Sequence, residues 1–288
     1  MNIEKIYKNY KKLLLVPIIL LTLSILFLAI NNATKGELIE RDISLKGGIS
    51  VTLYKEDLNK NQIESSLKQQ FPDIHIRTLT DLSSRKDIGL IIESSIAEEP
   101  ELKESLKTLT NFKEEDYSSE TTGSKFGESF YKDLLTTILF AFLFMAIVVL
   151  ITFRTFIPSI AVISAALIDI IVTLAIISLM GIQLSSAGIV AFILVIGYSI
   201  DTDILLTTRL LKRKQGYLHE RLKGAITTGL TMTITTLAAI TTAYLFSTSL
   251  ILKQMFLIIL IALIVDIIAT YFGNASILIW YCKKKNIT

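Results

Sequence analysis

Six long apolar stretches decide what this chain can fold into. A membrane-spanning helix needs about 20 consecutive apolar residues, because lipid offers no partner to an unpaired backbone amide. Residues 13–30, 133–153, 157–179, 184–210, 225–246 and 254–282 meet that requirement. The bulk composition agrees, with 51% hydrophobic residues and only 19% charged ones, the latter gathered in a few places. Mean hydropathy is +0.57, far above that of an ordinary soluble domain.

The first stretch follows Lys5, Lys8, Lys11 and Lys12 and so has the outline of a secretory signal. At 18 residues it exceeds the usual h-region of about 7–15, and Asn31-Asn32-Ala33-Thr34 offers no A-x-A site, so a retained first helix is expected. The last five stretches are joined by short connections and should form one bundle. Pro158 falls in the first turn of the third, where its missing N–H is not needed.

Orientation follows from the cations at the helix ends. The N-terminal lysines, Arg154, Lys212-Arg213-Lys214 with Arg221 and Lys223, and Lys283-Lys284-Lys285 share one side if there are six spans. Lys253 is the main exception. Both ends, 1–12 and 283–288, and the loop 211–224 are therefore expected to be cytoplasmic, with residues 31–132 outside. The expected location is the cytoplasmic membrane.

Residues 31–132 have a different texture. Arg41–Tyr54 alternates like a strand, with Gly47-Gly48 marking a bulge or a close backbone approach. Ile63, Leu67 and Phe71 then recur at helical spacing, and Asn61 with Glu64 has capping-box spacing. Asp73–Thr80 and Asp87–Glu93 read as strands, Pro100–Leu109 as a second helix, and Glu115–Thr121 as a weak last strand. The order β-α-β-β-α-β is a ferredoxin-like α+β pattern. This segment holds 14 Lys and Arg against 19 Asp and Glu, a net of −5, which fits a solvated surface. The expected fold is thus a polytopic α-helical membrane protein of six transmembrane helices, with an extracytoplasmic ferredoxin-like domain between helices 1 and 2.

Several function classes lack the residues they need. Cys282 is the single cysteine, so no internal disulfide forms. His75 and His219 have no metal-ligand spacing with it, and no metal is expected. No Walker loop, GxGxxG or HExxH occurs, and no nucleophile sits beside a base; no enzymatic activity is expected.

The informative residues are acids inside the apolar helices: Asp169 in the third, Asp201 and Asp203 in the fourth, and Asp266 in the sixth, with Arg209 near the end of the fourth. An ionised carboxylate at the bilayer centre costs about 2.5–3.5 kcal/mol on insertion scales. Such groups persist where they face the bundle interior, pair, or hold a proton. A buried Asp that can take and release a proton has the chemistry of a relay. The alternative is packing: the acids could simply bond neighbouring hydroxyls, and Thr227, Thr228, Thr231, Thr233, Thr235, Thr236, Thr241 and Thr242 of the fifth helix offer many. Asp266 and Arg209 fit either reading, and Arg209 could be an interfacial anchor. Asp201 and Arg209 lie about 12 Å apart along one helix, too far to pair. Asp201 and Asp203 point in nearly opposite directions, and Gly197 and Ser199 before them permit close packing or local distortion.

Val195–Arg209, VIGYSIDTDILLTTR, resembles the fourth-helix signature of the SecF family of protein-translocase subunits, with Gly197, Tyr198 and Ser199 as its GYS. Asp169, 40 residues before Arg209, sits where that family carries an acid in its third helix, and Leu45-Lys46-Gly47-Gly48 is similar to its L-[KR]-G-G element. Where bacterial members read G-Y-S-x-N-D-[ST], this chain has Asp201-Thr202-Asp203, which looks more like archaeal members. The resemblance covers nearly the whole chain. It implies a membrane domain of the resistance-nodulation-division type and a SecD-like partner beside a SecY/SecE-type channel. It also implies work on translocating polypeptides that uses the proton gradient without a bound cofactor. Membrane lipid is the surrounding partner, and no nucleic acid is expected. Proton coupling is expected at Asp169, Asp201, Asp203, Arg209 and Asp266. The alternative is half of a proton-driven exporter of lipids or small molecules.

Overall fold

A computed structural model describes residues 9–56, 58–80, 87–212, 216–247 and 249–287. Lys5, Lys8, Arg213 and Lys214 lie outside these. The chain divides into two compact units: one of membrane helices, the other of residues 41–135 together with Leu184–Ser186.

The membrane unit is built from α1 (Leu15–Lys35), α5 (Ser124–Phe153), α6 (Phe156–Leu179), α7 (Ser186–Leu211), α8 (Leu218–Phe246), α9 (Leu250–Ile268) and α10 (Ala275–Lys284). A π-helical turn, Ala269–Asn274, joins α9 to α10 into one continuous span. Among the described residues, six helices are long and apolar enough to cross a membrane: Asn9–Thr34, Phe126–Phe153, Phe156–Leu179, Ser186–Leu211, Leu218–Phe246 and Ile251–Lys284. This is a multi-pass membrane protein.

Lipid is as apolar as leucine, so these helices associate through close packing rather than through the hydrophobic effect. α6 shows how. It buries small residues, Ser159, Ala161, Ala165, Ala166 and Ala175, and these let α1, α9 and the π-turn approach its backbone. Val162 and Ala166 meet Met145, Val149 and Phe153 of α5 and Ile196 of α7. Ala165, Ile168 and Val172 meet Val265 and Ala269. α8 is different: its buried residues, from Leu218 to Thr233, lie in its first half. There it packs with Leu206 and Leu210 of α7 and with Leu278 and Ile279 of α10.

The second unit is an α+β layer. Its strands are β1 (Gly48–Leu53), β2 (His75–Thr80), β3 (Asp87–Ser94) and β4 (Tyr117–Thr122), and its helices are α2 (Ile43–Lys46), α3 (Lys60–Gln70) and α4 (Glu99–Thr110). The four strands order as β2-β3-β1-β4, with every neighbouring pair antiparallel. Ile49, Val51 and Leu53 alternate inward from β1 and meet Ile63 and Leu67 of α3 and Leu102 and Leu106 of α4.

Two local details depart from the sequence pattern. Asp42 accepts from the Ser44 amide, so Ile43–Lys46 closes a helical turn and the strand begins only at Gly48. Asn59, not Asn61, caps α3 by accepting from the Gln62 amide; Asn61 lies inside the helix. Gly48 has φ +130, and a Cβ there would lie 2.3 Å from the Ser94 carbonyl oxygen. A side chain at this position is excluded both by conformation and by the neighbouring strand. Gly48→Ala should therefore destabilise the α+β unit by at least about 1–3 kcal/mol, read as faster hydrogen exchange in β1 and β3. Gly123→Ala, where an added Cβ meets nothing within 4 Å, should leave exchange unchanged.

Candidate functional site

Three helices each aim one carboxyl at the same interior point. Asp169 comes from α6, Asp203 from α7 and Asp266 from the end of α9; they are 0%, 0% and 2% exposed. On α7 the buried stripe runs Ser199, Thr202, Asp203, Leu206, Thr207, Leu210, a helical repeat that places polar groups where a core would otherwise be apolar. Ser199 Oγ donates to Asp169 Oδ2 at 2.5 Å. Thr202 Oγ1 bonds the Ser199 carbonyl at 2.8 Å and lies 3.3 Å from Asp266 Oδ2. Thr270 Oγ1 sits between two acids, 2.9 Å from Asp203 Oδ1 and 3.1 Å from Asp266 Oδ1. Asn274 Nδ2 donates to Asp203 Oδ1 at 2.7 Å. The serine, threonine and asparagine donors named here are all neutral groups.

The π-turn explains how one helix supplies three members. In an α-helix each step of four residues overshoots a full turn by about 40°, so Asn274 would swing about 80° away from the Asp266 face. The wider π-turn under-rotates and brings Asn274 back beside Thr270. Its Tyr271 projects toward α8, where a Cβ on Gly229 would lie 2.2 Å from the phenol oxygen.

Hydrogen-bonding capacity remains inside the cluster. Asp169 Oδ1, Asp203 Oδ2, Asn274 Oδ1, Thr173 Oγ1 and Thr207 Oγ1 are buried with no hydrogen-bond partner among the described atoms. Thr173 lies one turn beyond Asp169 and Thr207 one turn beyond Asp203, so polar atoms line a strip rather than a point.

The other sequence candidates lie elsewhere. Asp201, Gly197 and Tyr198 are on the exposed side of α7, with Tyr198 42% exposed. Arg209 is half-buried against the start of α8, its Nη1 3.2 Å from a Cβ placed on Gly224. Gly47 and Gly48 belong to the α+β unit, between Gly127 and Ser94. Five of the fifth-helix threonines turn to their own backbone instead of the acids: Thr231, Thr233, Thr235, Thr236 and Thr242 bond carbonyls of their own helix. Sequence reasoning missed Thr202, Thr270 and Asn274 as donors. The signal was there in part, since Thr270 lies four residues after Asp266 and Asn274 is an amide in an otherwise apolar span.

Among the described residues, six helices apolar enough to span, three of which bring a carboxyl to one buried cluster, with an α+β segment between the first and second in sequence, define a polytopic membrane protein whose interior carries acidic groups. The family model "Protein export membrane protein SecD/SecF, C-terminal" matches residues 101–284, and the chain belongs to that family. It is 36% identical over 282 residues to the protein-export membrane protein SecF of Methanolacinia petrolearia, covering 95% of this chain and 94% of that one. It is 38% identical over 285 residues to the protein of the same name from Methanocaldococcus jannaschii, covering 96% and 97%. Among solved structures it is similar to SecDF, a translocon-associated membrane protein from Thermus thermophilus. The TM-score is 0.75 at 19% identity, covering 98% of this chain and 39% of the longer SecDF chain.

Thr270→Val removes a hydroxyl shared by two buried carboxyls. It should lower stability in micelles by about 1–3 kcal/mol. Thr242→Val, whose hydroxyl bonds the carbonyl of Ala238 on the same exposed helix face, should change stability by less than about 0.5 kcal/mol.

Proposed function

We propose that this chain works in Sec protein export as a proton-coupled subunit beside a SecD-like partner and a SecY/SecE-type channel, acting on translocating polypeptides. Family membership carries the protein-export role. The observation that carries the proton role is the convergence of Asp169, Asp203 and Asp266 on neutral donors. Three negative charges cannot share so small a buried space at tolerable cost, so the cluster holds protons. Each acid comes from a different element, so a small shift of α7 against α6 or the π-turn changes which oxygen each donor serves. Such a shift moves the preferred site of the proton, and a proton arriving from one side can drive the shift.

The exposed face of α7 supports the partner reading. An intramembrane carboxyl such as Asp201 does not face hydrocarbon for long. Gly197 beside it adds no bulk: a Cβ there would meet nothing within 4 Å. A SecD-like helix laid over Gly197, Tyr198 and Asp201 would cover both. The matched region is 39% of the SecDF chain, which leaves length in that chain for a SecD-like half.

Orientation is part of the same proposal. Lys11, Lys12, Arg154, Lys212, Lys223 and Lys283-Lys284-Lys285 favour cytoplasmic termini in the plasma membrane, with residues 31–132 outside. The strand order β4-β1-β3-β2, with a helix in each long crossover, supports reading the outer domain as ferredoxin-like.

The test replaces Asp169, Asp203 or Asp201 singly with Asn in the native chromosome. It measures export of a reporter with and without a protonophore, and recovery of the SecD-like protein and the channel on purification. Asp169→Asn and Asp203→Asn should abolish gradient-dependent export while the complex still co-purifies. Asp201→Asn should lower co-purification instead. Undiminished export in both cluster variants, or loss of the complex in both, would defeat the proton assignment.

A further inference from the structure

The connection between α6 and α7 is built into the α+β unit through a short chain of hydrogen bonds. Leu184–Ser186 belongs to the same compact unit as residues 41–135. The Asp42 amide donates to the Leu184 carbonyl at 3.0 Å, and Arg41 and Leu184 form a parallel bridge. The Ser186 amide, the first of α7, donates to Ser44 Oγ at 3.0 Å. That hydroxyl in turn donates to Asp42 Oδ1 at 2.6 Å, and the Ser44 amide donates to the same oxygen at 3.0 Å. Leu184 and Ser185 are only 5% and 2% exposed, so this is a seated segment and not a surface brush.

The carboxyl at the end of this chain is placed to titrate. Burial pushes Asp42 up to about 6; the Ser44 bonds oppose that rise and the charge of Glu93 reinforces it. Glu93, on β3, is itself 6% exposed and pairs with Arg77 of β2, whose charge acts on Asp42 in the opposite sense. The same segment also carries Glu40, Arg41 and Lys46. The guanidinium of Arg41 sits 4.7 Å over the Tyr131 ring of α5. Leu184–Ser186 brings no charge. Both hydrogen bonds to Asp42 end on Oδ1, so Oδ2 can take a proton without losing either.

We propose that Asp42, Ser44 and the Leu184–Ser186 backbone form a proton-tightened latch: protonation of Asp42 favours the seated connection, and its ionisation loosens the segment that leads into α7. The direction follows from linkage. Seated, Asp42 binds a proton near pH 6; released into water, it returns to the ordinary value of about 4. The seated form therefore takes up the proton preferentially, gains as pH falls through 6, and loses that gain as pH rises through it. Between pH 7.5 and pH 5 the change is about tenfold in the opening equilibrium. The latch sits at residue 42, which lies outside the membrane in the orientation proposed above, a reading on which this proposal rests.

Hydrogen exchange of a peptide spanning 182–188 tests this. The full chain is held in lipid nanodiscs at pH 5 and pH 7.5, and rates are corrected for intrinsic chemical exchange. Wild type should open about tenfold more at pH 7.5. Asp42→Asn, neutral at both values, should show the pH 5 protection throughout. Ser44→Ala should lose protection at both, and Ser44→Thr should restore it. Exchange in β1 and β3 of the same sample reports whether the unit is folded. If Ser44→Ala unfolds it, Ser186→Pro removes the same donor at a helix N1 position that tolerates proline, and faster exchange of the neighbouring amides is expected. Wild-type pH dependence in Asp42→Asn, or unchanged protection in Ser44→Ala or Ser186→Pro, would overturn the proposal.

Discussion

A carboxyl group in hydrocarbon is the constraint around which the membrane unit is organised. The helices could span and pack without Asp169, Asp203 or Asp266; they cannot carry these residues without supplying donors and shielding them from lipid. Several features of the bundle follow. α6 is lined with alanine and serine so that other elements can close over Asp169. α7 commits Ser199, Thr202 and Asp203 to one buried stripe. The sixth span abandons α geometry for one turn, so that Thr270 and Asn274 both reach Asp203. A π-turn gives up regular helical bonding, and here it follows a buried acid by three residues.

The hydroxyl and amide groups of the cluster do two jobs at once. They satisfy carboxyl oxygens in a medium that would otherwise penalise them, and they leave other atoms with capacity to spare. Thr270 serves Asp203 and Asp266 with one hydroxyl, whose single proton can go to only one of them at a time. That hydroxyl therefore has two alternative acceptors in the cluster.

Much of this was legible in the sequence, and the limits are physical. Hydropathy located six helices because a spanning helix needs a long run of apolar residues whatever it packs against. The acids stood out for the complementary reason, since charge in such a run is rare. What could not be read was pairing. Helical periodicity separates Asp201 from Asp203 but does not say which of them faces inward; packing against α6 and the π-turn decides for Asp203. The threonines of the fifth helix were numerous and plausible, yet a hydroxyl on a helix can bond its own backbone three or four residues back, as Thr231, Thr233, Thr235, Thr236 and Thr242 do. Nothing in ATYFGN marks a π-turn, which comes from tertiary contacts. In the α+β unit, the alternation of Arg41–Tyr54 matched a strand throughout, but the Asp42 cap is a stronger local interaction than strand propensity and takes the first residues into a helical turn.

The central claim is that the buried carboxyls exchange protons as the protein works. Infrared difference spectroscopy of the chain with its partner in sealed vesicles tests it directly, by following the protonated-carboxyl C=O band while a pH gradient is imposed and collapsed. A band that rises and falls with the gradient in wild type, and loses that response in Asp203→Asn, is the predicted result. A carboxyl band that stays constant through the gradient cycle, or one that responds identically in the variant, would contradict it.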